Sequence, residues 1–239
     1  MRRLLLIPFA FLIMMLSGCS VLKNSGLIPT ELEMALGLKD ALSQGLFKGF
    51  DSFANPEGNP LVRFAFPGEA EKIEKTLRDL GFDKTINQVT GKFTRAMSSA
   101  VNVARPLFFD AVKKMTIKDA AKILVTDNTH AATDYFKQAM KPGLMTAFRP
   151  IVDSTIKIEK ADEEWKGITS IYNSIPFINK PLESSLTDFV SARVIDLMFL
   201  MVANEEEQIR SKYELRKTDM MRKVFTWAEG EIKRKLQKN

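Results

Sequence analysis

From Leu186 to Asn204 the chain is apolar on almost every side of the helix it would form, with Val194-Ile195 and Leu197 to Ala203 interrupted only by Asp196. An apolar surface that wide marks a helix that must be surrounded, and the charges within it argue against a membrane span. Whatever this chain folds into has to supply other elements to cover that one. This requirement selects a layered arrangement of helices around a central member.

The covering elements read as further helices. Thr30-Glu31-Leu32-Glu33 is a capping box, and Leu32, Ala35, Leu36, Leu42, Leu46 and Phe50 follow at helical spacing. A helix over Glu69–Leu80 is expected to stop at Gly81. Lys84 to about Val103 puts Ile86, Val89, Phe93, Met97 and Ala100 on one face, and Pro106 is expected to kink or restart it before Leu107–Met115. Thr116 with Asp119 marks the next start. His130–Met140 is expected to end at Pro142-Gly143, with Leu144–Ile158 following as a helix interrupted near Pro150. Asp162–Ile175 carries Trp165, Ile168 and Tyr172. Thr218-Asp219 opens a last helix that ends in Lys233-Arg234-Lys235. Residues 51–68 hold three prolines and two glycines and read as a loop, in which Val62, Phe64 and Phe66 alternate with Arg63 and Ala65. No second alternating segment exists to pair with it. The expected fold is therefore all-α, a bundle-like single domain with at most one short extended segment near 61–66.

The N-terminus has a different character. Arg2 and Arg3 precede an uncharged apolar run from Leu4 to Leu16, and Ser17-Gly18 lead to Cys19, the one cysteine of the chain. The order matches a secretory signal. Thirteen apolar residues span about 20 Å as a helix, short of a ~30 Å hydrocarbon core. Leu16-Ser17-Gly18-Cys19 resembles the lipobox of bacterial lipoproteins, in which the thiol accepts a diacylglycerol, cleavage follows Gly18 and the freed Cys19 amine is acylated. Three acyl chains exceed the two signals that stable anchoring needs. Ser20, where an Asp would favour inner-membrane retention, suits sorting to the outer membrane. The expected organisation is a signal over 1–18, a lipidated tether over 19–29 and a helical domain over 30–239. Membrane lipid, reached through acylated Cys19, is the first expected partner.

Composition bounds the chemistry. With Arg2 and Arg3 removed from the 35 basic residues, 33 face 29 acidic ones at a net charge of about +4, spread along the chain. No basic stripe suited to nucleic acid stands out. A lipidated Cys19 leaves no thiol for disulfides, metal sites or nucleophilic catalysis. His130 is the sole histidine, too few for a hydrolytic triad or a histidine metal cluster, and reads as a surface residue in the first turn of its helix. Asp196, if buried, needs a partner; Arg193 lies at helical spacing, and Arg105 or Arg149 could reach it from other helices. Glu205-Glu206-Glu207 would oppose the dipole of a helix ending there, so the helix is expected to continue, with Glu206 paired to Arg210 and the cluster solvated. Lys113, Lys114, Lys118 and Lys122 suit either exposed faces or phospholipid head groups. Met198, Met201, Met220 and Met221 suit core filling or an adaptable pocket. Phe64, Phe66, Phe108, Phe109 and Met198 are candidate lining for an apolar pocket. No metal, cofactor or catalytic set is expected.

Several segments together resemble the bacterial family catalogued as domain of unknown function 4197. They are GLKDAL (Gly37–Leu42), GNPLVRFAFP (Gly58–Pro67), RPLFFDAVKKMTIKDAAKIL (Arg105–Leu124), AATDYF (Ala131–Phe136), LTDFVSARVIDLMFLMVANEEEQIR (Leu186–Arg210) and TDMMRKVF (Thr218–Phe225). Lys157–Asn179 and the Trp-containing extension after TDMMRKVF depart from the family pattern. The resemblance implies an all-helical envelope protein, frequently a lipoprotein, and brings no catalytic residues with it. The function expected on these grounds is a non-enzymatic module, anchored at the outer membrane and facing the periplasm, that binds a protein partner or a lipid-like ligand. The alternatives are an envelope enzyme working through carboxylates alone and a purely structural envelope protein.

Overall fold

The computed structural model describes residues 28–55, 69–118, 120–174, 176 and 185–237. Thr30 starts the fold. Its hydroxyl accepts the Glu33 N–H at 3.2 Å, and the Glu33 carboxylate accepts the Thr30 N–H at 2.9 Å. These are two of the donors that a helix start leaves without partners. From there α1 (Glu31–Ala54) runs through the centre of the molecule, packed most extensively against four other helices.

Those four are α3 (Asp83–Lys114), α4 (Ala120–Leu124), α7 (Leu186–Ser211) and α8 (Asp219–Leu236). α5 (Ala131–Glu159) covers the faces of α3 and α7 that α1 leaves open, and α6 (Asp162–Asn173) inserts Trp165 between Phe93 of α3 and Phe189 of α7, with ring centroids 5.6 and 5.0 Å away. α2 (Glu69–Asp79) lies against the start of α3. It ends as the glycine predicts: Gly81 has φ +88°, its N–H reaches the Arg78 carbonyl, and the Phe82 N–H reaches Leu77. A 3₁₀ turn, Tyr213–Leu215, links α7 to α8. Ser185 and Thr218 cap these two helices by accepting from the N–H groups of Asp188 and Met221. The described residues form no strand, so the fold is all-α; residues 61–66 lie outside them. No described helix is long and apolar enough to cross a membrane.

The long apolar segment becomes α7, and it is surrounded as its sequence requires. Val190, Val194, Ile195, Leu197, Met198, Phe199 and Val202 are buried between α1 and α5. α1 and α7 meet at glycines. A Cβ on Gly45 would stand 2.9 Å from Val202 Cα, and one on Gly49 would stand 2.9 Å from Met198 Cε. Gly37 serves the other flank, where a Cβ would fall 2.3 Å from Val224 of α8. Close backbone approach is what lets α1 touch so many neighbours.

Three expected helix boundaries are absent. Pro106 lies inside α3, and Pro142 and Pro150 lie inside α5. Each proline removes one backbone hydrogen bond and crowds the preceding turn at a cost of about 3 kcal/mol. Both helices nevertheless continue, because the turns on either side bury Val101, Phe108 and Val112 in α3 and Leu144, Phe148 and Val152 in α5. Burying each large side chain stabilises by about 1.5–3 kcal/mol, so two or three such contacts outweigh one proline. The expected cap of α4 is also different. Asp119 lies outside the described residues, the Thr116 carbonyl accepts the Tyr135 hydroxyl, and the Ala120 N–H donates to Glu31 of α1 at 3.1 Å.

The glycine seam is directly testable. Gly45→Ala forces a Cβ onto backbone of α7 and should destabilise by roughly 1–3 kcal/mol, as overpacking does. Gly143→Ala meets nothing within 4 Å and should be neutral or stabilise by up to about 1 kcal/mol. Chemical denaturation of both variants reads the contrast, and equal effects would refute the seam.

Candidate functional site

The last two turns of α7 carry the strongest concentration of buried charge. Glu205 and Glu206 are 3% and 1% exposed, and only Glu207 faces solvent. The solvated acidic cluster expected from sequence is therefore corrected at two of its three positions. The helix does continue past them, and the Glu206–Arg210 pair does form, at 2.8 Å.

Glu206 is buried because it caps another helix. Its carboxylate accepts the Ala132 and Thr133 N–H groups at 3.0 and 2.7 Å, and the Thr133 hydroxyl at 2.7 Å. These donors belong to the first turn of α5, whose own N-cap residue, His130, makes no side-chain cap. Arg210 completes the shell with two bonds to the same carboxylate, at 2.9 and 2.8 Å. Its remaining donors meet the Ile123 and Leu124 carbonyls, at the C-terminus of α4. One ion pair thus places negative charge at a helix start and positive charge at a helix end, as the macrodipoles favour.

Glu205 does similar work toward α1. It accepts from Gln44 Nε2 at 2.7 Å and pairs with Lys48 at 2.8 Å, while Gln44 also donates to the Leu215 carbonyl. Arg216, 1% exposed, closes the C-terminus of α7 by donating to the Ile209 and Arg210 carbonyls. It also reaches Thr226 and Glu229 of α8 at 3.0 and 3.2 Å. Lys233 first, then Arg216, hold the Glu229 carboxyl below the usual carboxylate range against the opposing effect of burial. Sequence reading missed Arg216 because its partners lie at no helical spacing from it.

Beside this network lies a groove of about 390 Å³ between α8 and the α4 end with its following loop. Phe225, Ala228, Ile232 and Leu236 line the α8 wall at i, i+3, i+7 and i+11, and Leu124 faces them. Arg210, Glu229 and Lys233 supply its polar edge. The i, i+3, i+7, i+11 spacing was the signal available in the sequence. On the opposite flank of α8 a second groove of about 400 Å³ is lined by Trp227, Val125 and Lys122 among others. The Trp227 indole N–H is buried there without an acceptor.

The residues singled out from sequence are dispersed. Asp196 is 44% exposed and pairs with Lys141 and Lys137 of α5 at 2.7 and 3.5 Å. It is not a buried site, because Arg193, Asp196, Leu200, Asn204 and Glu207 mark the narrow strip along which α7 meets solvent. Burial lowers the pKa of Arg193, with Asp196 acting in the opposite direction. Arg149 instead pairs with Asp188 at 2.6 Å, and Arg105 lies over the Phe47 and Phe50 rings. Phe108 and Met198 are each 1% exposed and belong to the core rather than to a pocket wall. Phe109 is half-buried against Phe47 and Phe50. Met201 and Met221 are buried and Met220 is half-buried. His130 is half-buried, with Nδ1 3.1 Å from the Ala203 carbonyl, to which it donates. Lys113, Lys114, Lys118 and Lys122 are exposed. Cys19, Gly18, Phe64 and Phe66 lie outside the described residues. Among the described residues no cluster of three or more His, Asp or Glu side chains could hold a metal ion.

A family model described as "Protein of unknown function (DUF4197)" matches residues 29–226. No curated protein and no solved structure matches the chain.

Glu206→Gln removes the charge from a carboxylate buried with Arg210. It should cost roughly 3–5 kcal/mol, as breaking a buried pair does, whereas Glu207→Gln should stay within about 0.5 kcal/mol. Urea unfolding of both variants checks this. The Glu229 carboxyl titrates below its ordinary 4.5 in the folded chain. Its contribution is therefore fully present above pH 4.5 and lost as pH falls through the lowered folded value. Glu229→Gln should flatten that acid limb in a pH series of thermal melts and leave the neutral-to-basic side unchanged in slope.

Proposed function

We propose, for a chain that belongs to the DUF4197 family, that it is a bacterial lipoprotein whose helical body serves as a binding module for a lipid-like ligand. Leu16-Ser17-Gly18-Cys19 supports acylation of Cys19, and Ser20 supports an outer-membrane anchor with the body facing the periplasm. A tether over 19–29 would reach roughly 16–19 Å and keep the body near the bilayer.

The groove beside α8 carries the binding reading. Its wall is an apolar stripe long enough to lie along an acyl chain, and its edge holds the exposed Lys233, suited to an anionic head group. A pocket with a mostly apolar lining and a few placed charges orients an amphipathic molecule. Carboxylate catalysis has less support. Glu205 and Glu206 are committed to helix ends and a lysine, and Glu229 is held ionised, opposite to what a general acid requires.

Two measurements test the reading. Expression in a diderm host with labelled palmitate should mark the wild-type chain and leave Cys19→Ala unmarked; label on the variant would refute the anchor. Mass spectrometry of lipid co-purifying with the full chain should find a bound amphipath whose yield falls several-fold in Ile232→Glu at unchanged melting temperature. Equal yields, or a protein free of lipid with both forms folded, would refute the groove as its site.

A further inference from the structure

A second apolar surface is exposed at the start of α1. Ile28, Leu32 and Leu36 are 71%, 69% and 42% exposed. Leu32 and Leu36 are one turn apart on α1, and Ile28 lies two residues before Thr30, where the capping box begins. Three exposed apolar side chains at the start of the central helix are costly to leave in water.

Their neighbours are basic. Lys39, one turn beyond Leu36, donates to the Lys113 carbonyl at 2.8 Å, which brings the C-terminus of α3 with Lys113 and Lys114 beside the leucines. Glu31 accepts the Ala120 N–H, which places Lys118 at the same edge. On the other side Glu33 pairs with Lys223 of α8 at 2.6 Å, and Asp40 accepts the Thr218 hydroxyl. Nearby acids are therefore engaged: Glu31 by a helix start, Glu33 by Lys223, Asp40 by Thr218, and Asp110 by Lys114 at 3.6 Å. Exposed leucines bordered by lysines match a bilayer that offers hydrocarbon below a plane of phosphates.

Chain geometry selects the same occupant. Ile28 stands nine residues after Cys19, so an acyl anchor would hold this end of α1 within one tether length of the lipid surface. We infer that the N-terminal end of α1, with Leu32 and Leu36 beside Lys113, Lys114 and Lys118, docks onto an anionic phospholipid surface and sets the orientation of the body on the membrane. The inference rests on the lipid-anchor reading above. Anchor and docking face act together, since one lipid signal strengthens another by raising the local concentration.

The test uses the full acylated chain carrying Leu32→Cys labelled with an environment-sensitive fluorophore, reconstituted in neutral phosphatidylcholine vesicles or in vesicles containing about a third phosphatidylglycerol. Ile158→Cys, also exposed and far from α1's first turns, is the control site. Emission at position 32 should shift to the blue only with phosphatidylglycerol. The shift should be lost at high salt, as screening predicts, and lost in K113Q/K114Q/K118Q at unchanged melting temperature, while position 158 stays constant. The same emission in both vesicle types would overturn the inference. A blue shift that follows protein concentration in the absence of phosphatidylglycerol would assign the face to a second copy of the chain and overturn it as well. Intact mass of the preparation reports acylation separately, so a failed anchor is distinguished from a failed docking face.

Discussion

Burying the Glu206 carboxylate organises half of the molecule. A charge that is 1% exposed survives only when hydrogen bonds replace the water it has lost. Here the replacements come from α5 and from Arg210, which in turn satisfies the end of α4. Three helices therefore meet in one register, since sliding any of them would strand a charge or a row of amide groups. Arg216 extends the same logic to α8, and Glu205 extends it to α1. Polar groups at helix ends, rather than apolar contacts alone, specify which helices adjoin.

Apolar packing supplies the complementary constraint. α1 meets α7 across Gly45 and Gly49 and meets α8 across Gly37, so its backbone comes close to both. Around that centre Phe50, Phe93, Phe108, Phe136, Phe148 and Trp165 fill the core. The grooves fall where this packing runs out, on the two flanks of the C-terminal part of α8. α8 is pinned near its middle through Thr226 and Glu229 and leaves Leu236 67% exposed. The two grooves and the incomplete coverage of that helix share one cause.

Local signals in the chain were reliable where the physics is local. The Thr30 box, the Gly81 stop, the Thr218 cap and the burial of Leu186–Asn204 each depend on residues a few positions apart, and each appears in the structure as read. Pro106, Pro142 and Pro150 signal helix ends by local propensity alone, whereas flanking burial carries α3 and α5 through them. Asp196 misled for a related reason: apolar neighbours in sequence did not mean an apolar environment, because it lies on the narrow solvent strip of α7 opposite Lys137 and Lys141.

The sequence by itself determined the class of the fold, the position of most helices and the need to enclose α7, because periodicity and caps act within one or two turns. It also carries Leu16-Ser17-Gly18-Cys19, a pattern readable without any fold. Only the tertiary structure decided that Glu205 and Glu206 are buried and that Arg216 locks α7 to α8. It alone placed the apolar stripe of α8 along a groove and set Leu32 and Leu36 beside the lysines of α3. Each of these joins residues tens of positions apart or more, or depends on which side of a helix stays uncovered. Such relations exist only once the helices have packed, since a buried charge takes its meaning from partners that chain order does not bring near.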